Sequence, residues 1–382
     1  MSSTKKIIYL SIFNSIVKML MVSLSFFLGI YFESIGLSGA EIGMIFAVGT
    51  LTSIITILPS GFSNDKFKSK HLITVALILM GLQYIGLSIT KEFPLIITIF
   101  FFGEIGKTLY SSSSDSLFHK STKKKNISKK IGIFHGINYL VMGLGIIAAG
   151  YLKEINISFE QIFQFLGIGL FIMAIIGGLT LPKSITAKLD FIDYKSDIKQ
   201  PKVIFFLIIM FLFAIHFGAE STTYGLFLKK TLGLSPLEMG IYMGTSIMAM
   251  AGSVFIISKY TEKIKIKYIL LFGLFASGSG HILMTISDPI ISMIFRIYHE
   301  AGDAAMFFFL YYGISKLFDL KRIGGNSSIF TLTQTFAGAT GAIIFGAMGA
   351  AWGYEWPLII SGGTTLLAFI LSLQFIHHFD HE

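Results

Sequence analysis

The sequence predicts an all-α integral membrane protein with twelve transmembrane helices in two six-helix bundles. Three observations carry this prediction. Of the 382 residues, 53% are hydrophobic and 13% are charged; apolar runs of membrane-spanning length follow one another; and the second half of the chain repeats features of the first. This composition excludes a soluble globular protein. The chain has no cysteine, so disulfides, thiolate nucleophiles and cysteine-based zinc sites are excluded as well.

Twelve apolar runs of about 18 to 28 residues can each cross a hydrocarbon core of roughly 30 Å. The first run is too long for a signal peptide and lacks a small-residue cleavage site, so we expect it to remain as span one. In chain order the predicted spans are 7–32, 42–62, 72–90, 93–117, 131–152, 162–181, 203–227, 237–257, 268–286, 290–314, 329–352 and 358–375.

The seven prolines fall at or near the ends of these runs, where the missing N–H costs little, and no proline is expected at the centre of a span. Lysines are concentrated in alternate loops, which the positive-inside rule assigns to the cytoplasm. We therefore predict a multi-pass protein of the cell membrane, surrounded by lipid, with both termini cytoplasmic. The net charge of +9 is spread over these loops rather than over one basic face, so no nucleic-acid partner is expected.

Internal repetition divides the chain into two halves. At an offset of 197 residues, Gly36-Leu37-Ser38 recurs as Gly233-Leu234-Ser235, and Glu41 recurs as Glu238. Parallel repeats of this kind are typical of transporters. The predicted units are an N-terminal six-helix bundle at 1–182, a cytoplasmic linker or surface helix at 183–202, and a C-terminal six-helix bundle at 203–382.

The loop between spans two and three reads Gly61-Phe62-Ser63-Asn64-Asp65-Lys66-Phe67-Lys68-Ser69-Lys70. It resembles the G-x-x-x-D-[RK]-x-G-[RK]-[RK] loop of the major facilitator superfamily, with lysine in place of the usual glycine and serine in place of a basic residue. The resemblance implies the twelve-span fold, alternating access, and a central cavity lined by spans one, four, seven and ten.

In that family the loop acts as a conformational latch. The resemblance therefore implies a cytoplasmic gate built from Gly61, Asp65, Lys66, Lys70 and Asp115. Asp65 can sit at a helix N-terminus while Lys66 reaches a carboxylate on a neighbouring helix, for which Asp115 is the candidate. Alternatively, Asp115 is only a helix-end charge in the headgroup region.

Two features of the family's drug exporters are not intact in this chain. Phe100 or Phe102 occupies the approximate position of their span-four arginine, and the glycines of span five lack the accompanying proline. A drug/proton antiporter is therefore less favoured.

Charged residues well inside the runs occur only in spans one, four, seven and ten, and charges at bilayer depth normally face a protein interior or a water-filled cavity. Several of them share one helix face at i, i+3, i+4 and i+7 spacing. We predict a substrate and proton path lined by Lys18, Glu104, Lys107, His216, Glu220, Arg296, His299, Glu300 and Asp303.

Depth along the helices suggests three pairs within this path: Lys18 with Glu104, Lys107 with Asp303, and Arg296 with Glu220. Glu220, Glu300 and Asp303 are the expected proton carriers, with His216 and His299 as relays or substrate ligands. The alternative is that these groups form permanent interhelical ion pairs. Outside the path, we expect His135 and His281 to be packing residues, and the tail histidines 377, 378 and 381 to be solvated.

The sequence thus predicts a secondary active transporter that moves a small organic solute by alternating access, coupled to protons, without a cofactor and as a monomer. The alternatives are a lipid or lysolipid flippase, a drug/proton antiporter, or a non-transporting membrane receptor or scaffold. An enzyme is not expected, because no metalloprotease helix, serine nucleophile elbow or phosphate-cradling loop is present.

Overall fold

A computed structural model describes residues 3–122, 126–186, 191–261 and 263–375, and these residues form helices and turns without a strand. Twelve spans follow in chain order. They are Ser3–Val22 with Leu28–Ser34 (span one), Gly39–Lys66, Ser69–Ile89, Phe93–Ser121, Ile127–Glu154, Phe159–Thr180, the segments from Pro201 to Thr231 (span seven), Pro236–Tyr260, Ile266–Leu283, Pro289–Leu317, Ile323–Trp352 and Glu355–Phe375 (span twelve).

Ten helices of the described chain are long and apolar enough to cross a membrane. The two spans beyond these ten are span one, whose helix Ser3–Val22 holds three lysines, and span ten, which holds Arg296, Glu300 and Asp303. Both belong to the set in which the sequence concentrates charge. Their polarity indicates that they are stabilised inside the protein by neighbouring helices rather than by lipid.

Two spans are irregular, which sequence periodicity did not predict. Span one breaks at a 3₁₀ turn, Ser25–Phe27. Span seven consists of Pro201–Ala214, His216–Ala219 and two π-helical segments, Glu220–Tyr224 and Phe227–Thr231. Such π-helical turns occur frequently at functional sites.

Span two also differs from expectation, because its helix continues to Lys66 and places Pro59 inside it. The predicted end of span two near residue 62 is therefore too early, whereas the expectation that no proline lies at the centre of this span holds, because Pro59 lies nearer the end of the helix. Neighbouring helices and nearby polar groups make an internal proline tolerable in a membrane helix, since they can bond the backbone groups that it frees.

The repeated Gly-Leu-Ser segments adopt the same local structure. Gly36 and Gly233 have φ of 91° and 69°, the left-handed region that glycine enters without strain. Ser38 and Ser235 then form capping boxes with Glu41 and Glu238 at the starts of spans two and eight.

The two halves pack along spans five and eight, where small residues let the helices approach closely. A Cβ added to Gly143 would lie 2.4 Å from the Gly244 carbonyl oxygen, and one added to Gly150 would lie 3.1 Å from the Gly240 Cα. These glycines bring the two halves into direct backbone contact. The buried side chains of both halves continue into one hydrophobic cluster.

A short helix, Phe191–Ile198, lies between the halves in sequence, and we call it the linker helix. It falls within the predicted linker at 183–202, and span seven begins just after it at Pro201. The face of the protein at which spans two, four and ten end and spans three, five and eleven begin carries most lysines; we call it the lysine-rich face.

Candidate functional site

Spans seven, nine and ten bring seven ionisable side chains together in the C-terminal half. We call them the histidine–carboxylate cluster: His216, Glu220, His281, Arg296, His299, Glu300 and Asp303. The side chains of six are at most 5% exposed, and that of Glu220 is 20% exposed. Glu220 is thus the member nearest to solvent, and it begins the π-helical segment of span seven.

Arg296 is held between two carboxylates. Its guanidinium forms ion pairs with Glu220 on span seven and with Glu300 one turn along its own helix, the latter at 2.6 Å between Nη2 and Oε1. The predicted contact between Arg296 and Glu220 is therefore confirmed. The guanidinium carbon also lies 4.6 Å from the centroid of the Tyr224 ring, a cation–π contact that further fixes its position.

The histidine tautomers follow from backbone contacts. His216 Nδ1 lies 2.5 Å from the Phe213 carbonyl oxygen, and His299 Nδ1 lies 2.8 Å from that of Ser277. A carbonyl oxygen only accepts, so Nδ1 is the protonated nitrogen in each ring. In the neutral form, each Nε2 then carries a lone pair that points toward the cluster.

These lone pairs face carboxylate oxygens. His216 Nε2 lies 3.3 Å from Asp303 Oδ2, and His299 Nε2 lies 3.3 Å from Glu220 Oε1 and 3.6 Å from Asp303 Oδ2. Two acceptors at this separation repel each other unless a cation lies between them. Moreover, one guanidinium against three carboxylates leaves two negative charges in a buried site when the histidines are neutral. The cluster therefore requires about two further positive charges.

The prediction that His281 is a packing residue away from the charged set is wrong. Its ring centroid lies 4.8 Å from that of His299 and 5.1 Å from that of His216, and its Nδ1 lies 3.9 Å from Glu220 Oε1. Sequence reasoning missed it because span nine was not expected to line the cavity. Close helix packing brings it in: a Cβ added to Gly280 would lie 2.8 Å from the His299 backbone.

The N-terminal half holds a separate group of charges on span four. Lys107 Nζ lies 3.2 Å from Glu104 Oε1, and Ser53 of span two donates to Glu104 Oε2 at 3.4 Å. The predicted pairing of Lys107 with Asp303 is wrong, because Asp303 is engaged by histidines and Lys107 pairs along its own helix. The Lys107 side chain is 54% exposed.

The predicted pair of Lys18 with Glu104 is not formed in the described part of the chain, where the ion-pair partner of Glu104 is Lys107. The depth argument placed the helices without rotation about their axes, so it could not decide between these two lysines. Nearer the lysine-rich face, Asp115 of span four accepts a hydrogen bond of 2.7 Å from the Tyr311 hydroxyl of span ten. Beside this group, Asn14 Oδ1 accepts from Tyr110 at 2.6 Å and from Ser114 at 2.7 Å.

Asp65 is buried at the lysine-rich face and lies at the N-terminus of span eleven, as the sequence predicted for a helix N-terminus. Its two carboxylate oxygens accept from the backbone N–H groups of Gly324 at 3.1 Å and Gly325 at 2.7 Å. The partial positive charge of a helix N-terminus stabilises a carboxylate in this position.

The lysine that pairs with Asp65, in what we call the Asp65 latch, is not Lys66, which the sequence predicts for the gate. Lys66 is exposed and lies 5.5 Å from the Phe67 ring centroid, so its predicted ion pair with Asp115 is wrong. Lys120, at the end of span four, takes the place: its Nζ lies 2.9 Å from Asp65 Oδ1 and donates to the Asn64 carbonyl at 2.6 Å. Lys70 donates instead to the Gly178 carbonyl of span six.

The linker helix also contacts the Asp65 latch and the start of span eleven. The Tyr194 hydroxyl donates to Asp65 at 3.0 Å, and Asp197 accepts from Arg322 Nε at 3.0 Å and from Asn326 at 2.8 Å. Burial, followed by the neighbouring Asp65 carboxylate, raises the pKa of Tyr194, so its hydroxyl stays protonated at neutral pH. The linker helix thus contacts span two of one half and span eleven of the other.

Further contacts join the two halves at the lysine-rich face. A Cβ added to Gly61 would lie 2.7 Å from the Gly324 carbonyl oxygen, Ser112 contacts Ser328 at 3.2 Å, and Ser315 contacts His119 at 2.9 Å. Together with the bonds of Asp65 and Asp115, these contacts bring the ends of spans two, four, ten and eleven together. The lysine-rich end of the molecule is therefore closed.

Comparisons with known proteins agree with this architecture. The family model described as Major Facilitator Superfamily matches residues 9–289 and 206–381. A comparison with curated protein sequences finds no match. The human organic anion transporter MFSD10 (TETRAN) superposes with a TM-score of 0.79 at 13% identity, over 96% of this chain and 99% of that one. The proton:xylose symporter XylE, bound to 6-bromo-6-deoxy-D-glucose, superposes at 0.74 with 12% identity, over 98% and 96%.

Proposed function

The chain belongs to the Major Facilitator Superfamily, and on that premise we propose that it is a secondary active transporter that moves a small polar organic solute by alternating access, driven by protons. The observation that carries the proposal is the histidine–carboxylate cluster. Seven ionisable side chains meet between membrane spans, and charge at that depth is costly unless it serves a substrate or ion route.

The closed lysine-rich face supports alternating access. Asp65, Gly61 and the linker helix make contacts that a single rigid-body separation of the two halves would break together. By the positive-inside rule we assign this face, and with it both termini, to the cytoplasm of a cell-membrane protein. The structure then corresponds to a state closed toward the cytoplasm. We propose that the chain works as a monomer in lipid.

Protons are the proposed coupling ion because the cluster requires about two positive charges that its own residues do not supply. A proton between His216 Nε2 and Asp303, and another between His299 Nε2 and Glu220, would convert each repulsive pair into a charge-assisted hydrogen bond. Release of these protons to one side of the membrane would then alter the balance of charge around Arg296.

A polar, charged or zwitterionic solute is favoured over an apolar drug. Lys107 is half exposed on span four, and Lys18 of span one is a second positive side chain of the predicted path. An anionic group on the solute would be attracted to both. The two superposed proteins are an organic anion transporter and a proton:xylose symporter, and both solutes are polar.

The proposal is tested by flux into proteoliposomes under an imposed pH gradient, with a panel of organic anions, zwitterions, sugars and lysolipids. Glu300→Gln is compared with wild type. The matched control is Glu33→Gln, which changes an exposed glutamate at the C-terminal end of span one. We expect Glu300→Gln to lose gradient-driven accumulation and the control to keep it.

Each outcome is informative. Gradient-independent flux in the wild type would remove proton coupling and leave transport in place. Absence of flux for every solute would contradict the transporter and favour a receptor or scaffold. Flux of lysolipids alone would favour a flippase.

A further inference from the structure

We propose that His216, Glu220, His281 and His299 form a binding site for a divalent transition-metal ion such as Zn²⁺, within the histidine–carboxylate cluster. One ligand atom from each of the four residues lies within 4.8 Å of the other three. Imidazole nitrogen together with a carboxylate oxygen is a donor set that suits zinc and its neighbours in the first transition row.

The separations are close to those of a tetrahedral site. With ligand bonds near 2.0 to 2.1 Å, donor atoms around a tetrahedral zinc ion lie roughly 3.3 Å apart. His299 Nε2 and Glu220 Oε1 are already 3.3 Å apart, and His281 Nδ1 lies 3.9 Å from the same oxygen. The remaining gaps, up to 4.8 Å, can close chiefly by rotation of the His281 ring, which no hydrogen bond from the described residues holds in place.

The surroundings of two histidines are those that a metal ligand needs. Histidines that bind metal commonly donate their other ring N–H to a backbone carbonyl or a carboxylate, which fixes the tautomer and the orientation of the ring. His216 does this through Phe213 and His299 through Ser277, so each directs a bare Nε2 into the cluster.

His281 is the independent observation that points to a ligand. Its side chain is 1% exposed, and neither ring nitrogen has a hydrogen-bond partner among the described residues. A buried imidazole with no partner is uncommon, because it loses its bonds to water without replacement. A metal ion beside Glu220 would bind one of these nitrogens.

Charge balance also agrees with a divalent ion. The two negative charges left by Glu220, Glu300 and Asp303 against Arg296 equal the charge of one M²⁺ ion. Arg296 repels the ion, but Glu300 lies 2.6 Å from its guanidinium and offsets that charge. Glu220 can bind both groups because a carboxylate offers about four lone-pair directions. Its partial exposure also gives the ion a way in.

The inference goes beyond the proposed transport, since a metal ion would compete with protons for the same lone pairs whether or not a solute moves. It is tested on purified full-length protein in detergent, without a histidine tag. Every protein also carries His377→Gln, His378→Gln and His381→Gln, so that the tail cannot bind metal. The probe is Co²⁺, followed by calorimetry and by its visible spectrum, which is intense only when the ion is tetrahedral.

We expect one Co²⁺ per chain, a tetrahedral spectrum, and displacement by Zn²⁺. His281→Ala should weaken binding by at least about tenfold, as loss of a metal-site group does. His135→Ala, a change at a buried histidine of span five, should bind as the parent does. No saturable binding to the parent protein would overturn the proposal even if a variant fails to fold. Equal affinity in His281→Ala and the parent would also overturn it.

Neither outcome depends on flux. A protein that binds Co²⁺ and transports no solute would contradict the proposed function alone, and a transporter that binds no metal would contradict the metal site alone.

Discussion

At the scale of single residues, the contribution of a charged side chain to stability depends on its burial and its partners rather than on its residue type. Arg296 and Lys107 are both basic residues in membrane spans, and both have a carboxylate partner. The Arg296 side chain is 3% exposed and is bound by two glutamates, whereas the Lys107 side chain is 54% exposed beside one. Removing the first leaves buried charge without compensation, and removing the second leaves a charge that water can solvate.

We therefore expect Arg296→Met to lower the free energy of unfolding by about 3 to 5 kcal/mol, and Lys107→Met to change it by no more than about 1 kcal/mol. Unfolding can be followed in mixed micelles titrated with sodium dodecyl sulfate. Adding Glu220→Gln to Arg296→Met should restore part of the loss, because one uncompensated carboxylate is removed. Equal effects of the two single variants would contradict this account of the cluster.

At the scale of helices, the closest approaches between the two halves are made by the backbone at glycines. Span two meets span eleven at Gly61 and Gly324, and spans five and eight meet at pairs of glycines. A side chain at these positions would hold the helices apart. Other glycines on the same helices have no such role, since a Cβ at Gly43 of span two would meet nothing within 4 Å.

Gly61→Ala should lower the free energy of unfolding by about 1 to 3 kcal/mol, the usual cost of overpacking. The new Cβ would lie 2.1 Å from Ser328 Oγ, 2.6 Å from Ser328 Cβ and 2.7 Å from the Gly324 carbonyl oxygen, and only the hydroxyl can rotate away. Gly43→Ala should instead stabilise the protein by up to about 1 kcal/mol, because alanine loses less backbone entropy in a helix. The same micelle titration measures both, and equal behaviour of the two variants would contradict the packing argument.

At the scale of the whole molecule, the two halves meet in two different ways. Spans five and eight pack through backbone along much of their length, while the lysine-rich face is closed by polar bonds of Asp65, Asp115 and the linker helix. Polar contacts at one end can open and close without exposing a hydrophobic core. The proposed alternating access therefore requires this end to separate.

A disulfide across this face should stop transport. Ser112 Oγ and Ser328 Oγ, from opposite halves, are 3.2 Å apart, so the sulfur atoms of a cysteine pair at these positions would lie near each other and could be oxidised to a disulfide. The chain has no other cysteine that could compete. We expect oxidation of the double variant to reduce flux in proteoliposomes to background and reduction to restore it, whereas the flux of each single-cysteine variant should not respond to the oxidant. Full flux through the cross-linked protein would rule out opening at this end.

Much of this organisation follows from the sequence alone. Apolar runs of membrane length, lysines in alternate loops and a repeat at an offset of 197 residues determine twelve helices in two related halves, because these properties are local or periodic along the chain. Helical spacing also places Arg296, Glu300 and Asp303 on one face of span ten, since it depends only on the helix period.

What the sequence could not determine is which side chains meet across helices, because that depends on how each helix is rotated and how closely it packs. Only the tertiary structure shows that His281 of span nine belongs to the cluster. It also shows that Asp65 pairs with Lys120 rather than with Lys66, and that Asp115 is hydrogen-bonded to Tyr311. The break in span one and the π-helical turn at Glu220 likewise leave no periodic signal. Charge at membrane depth thus indicated a polar interior, and helix packing decided which residues form its site.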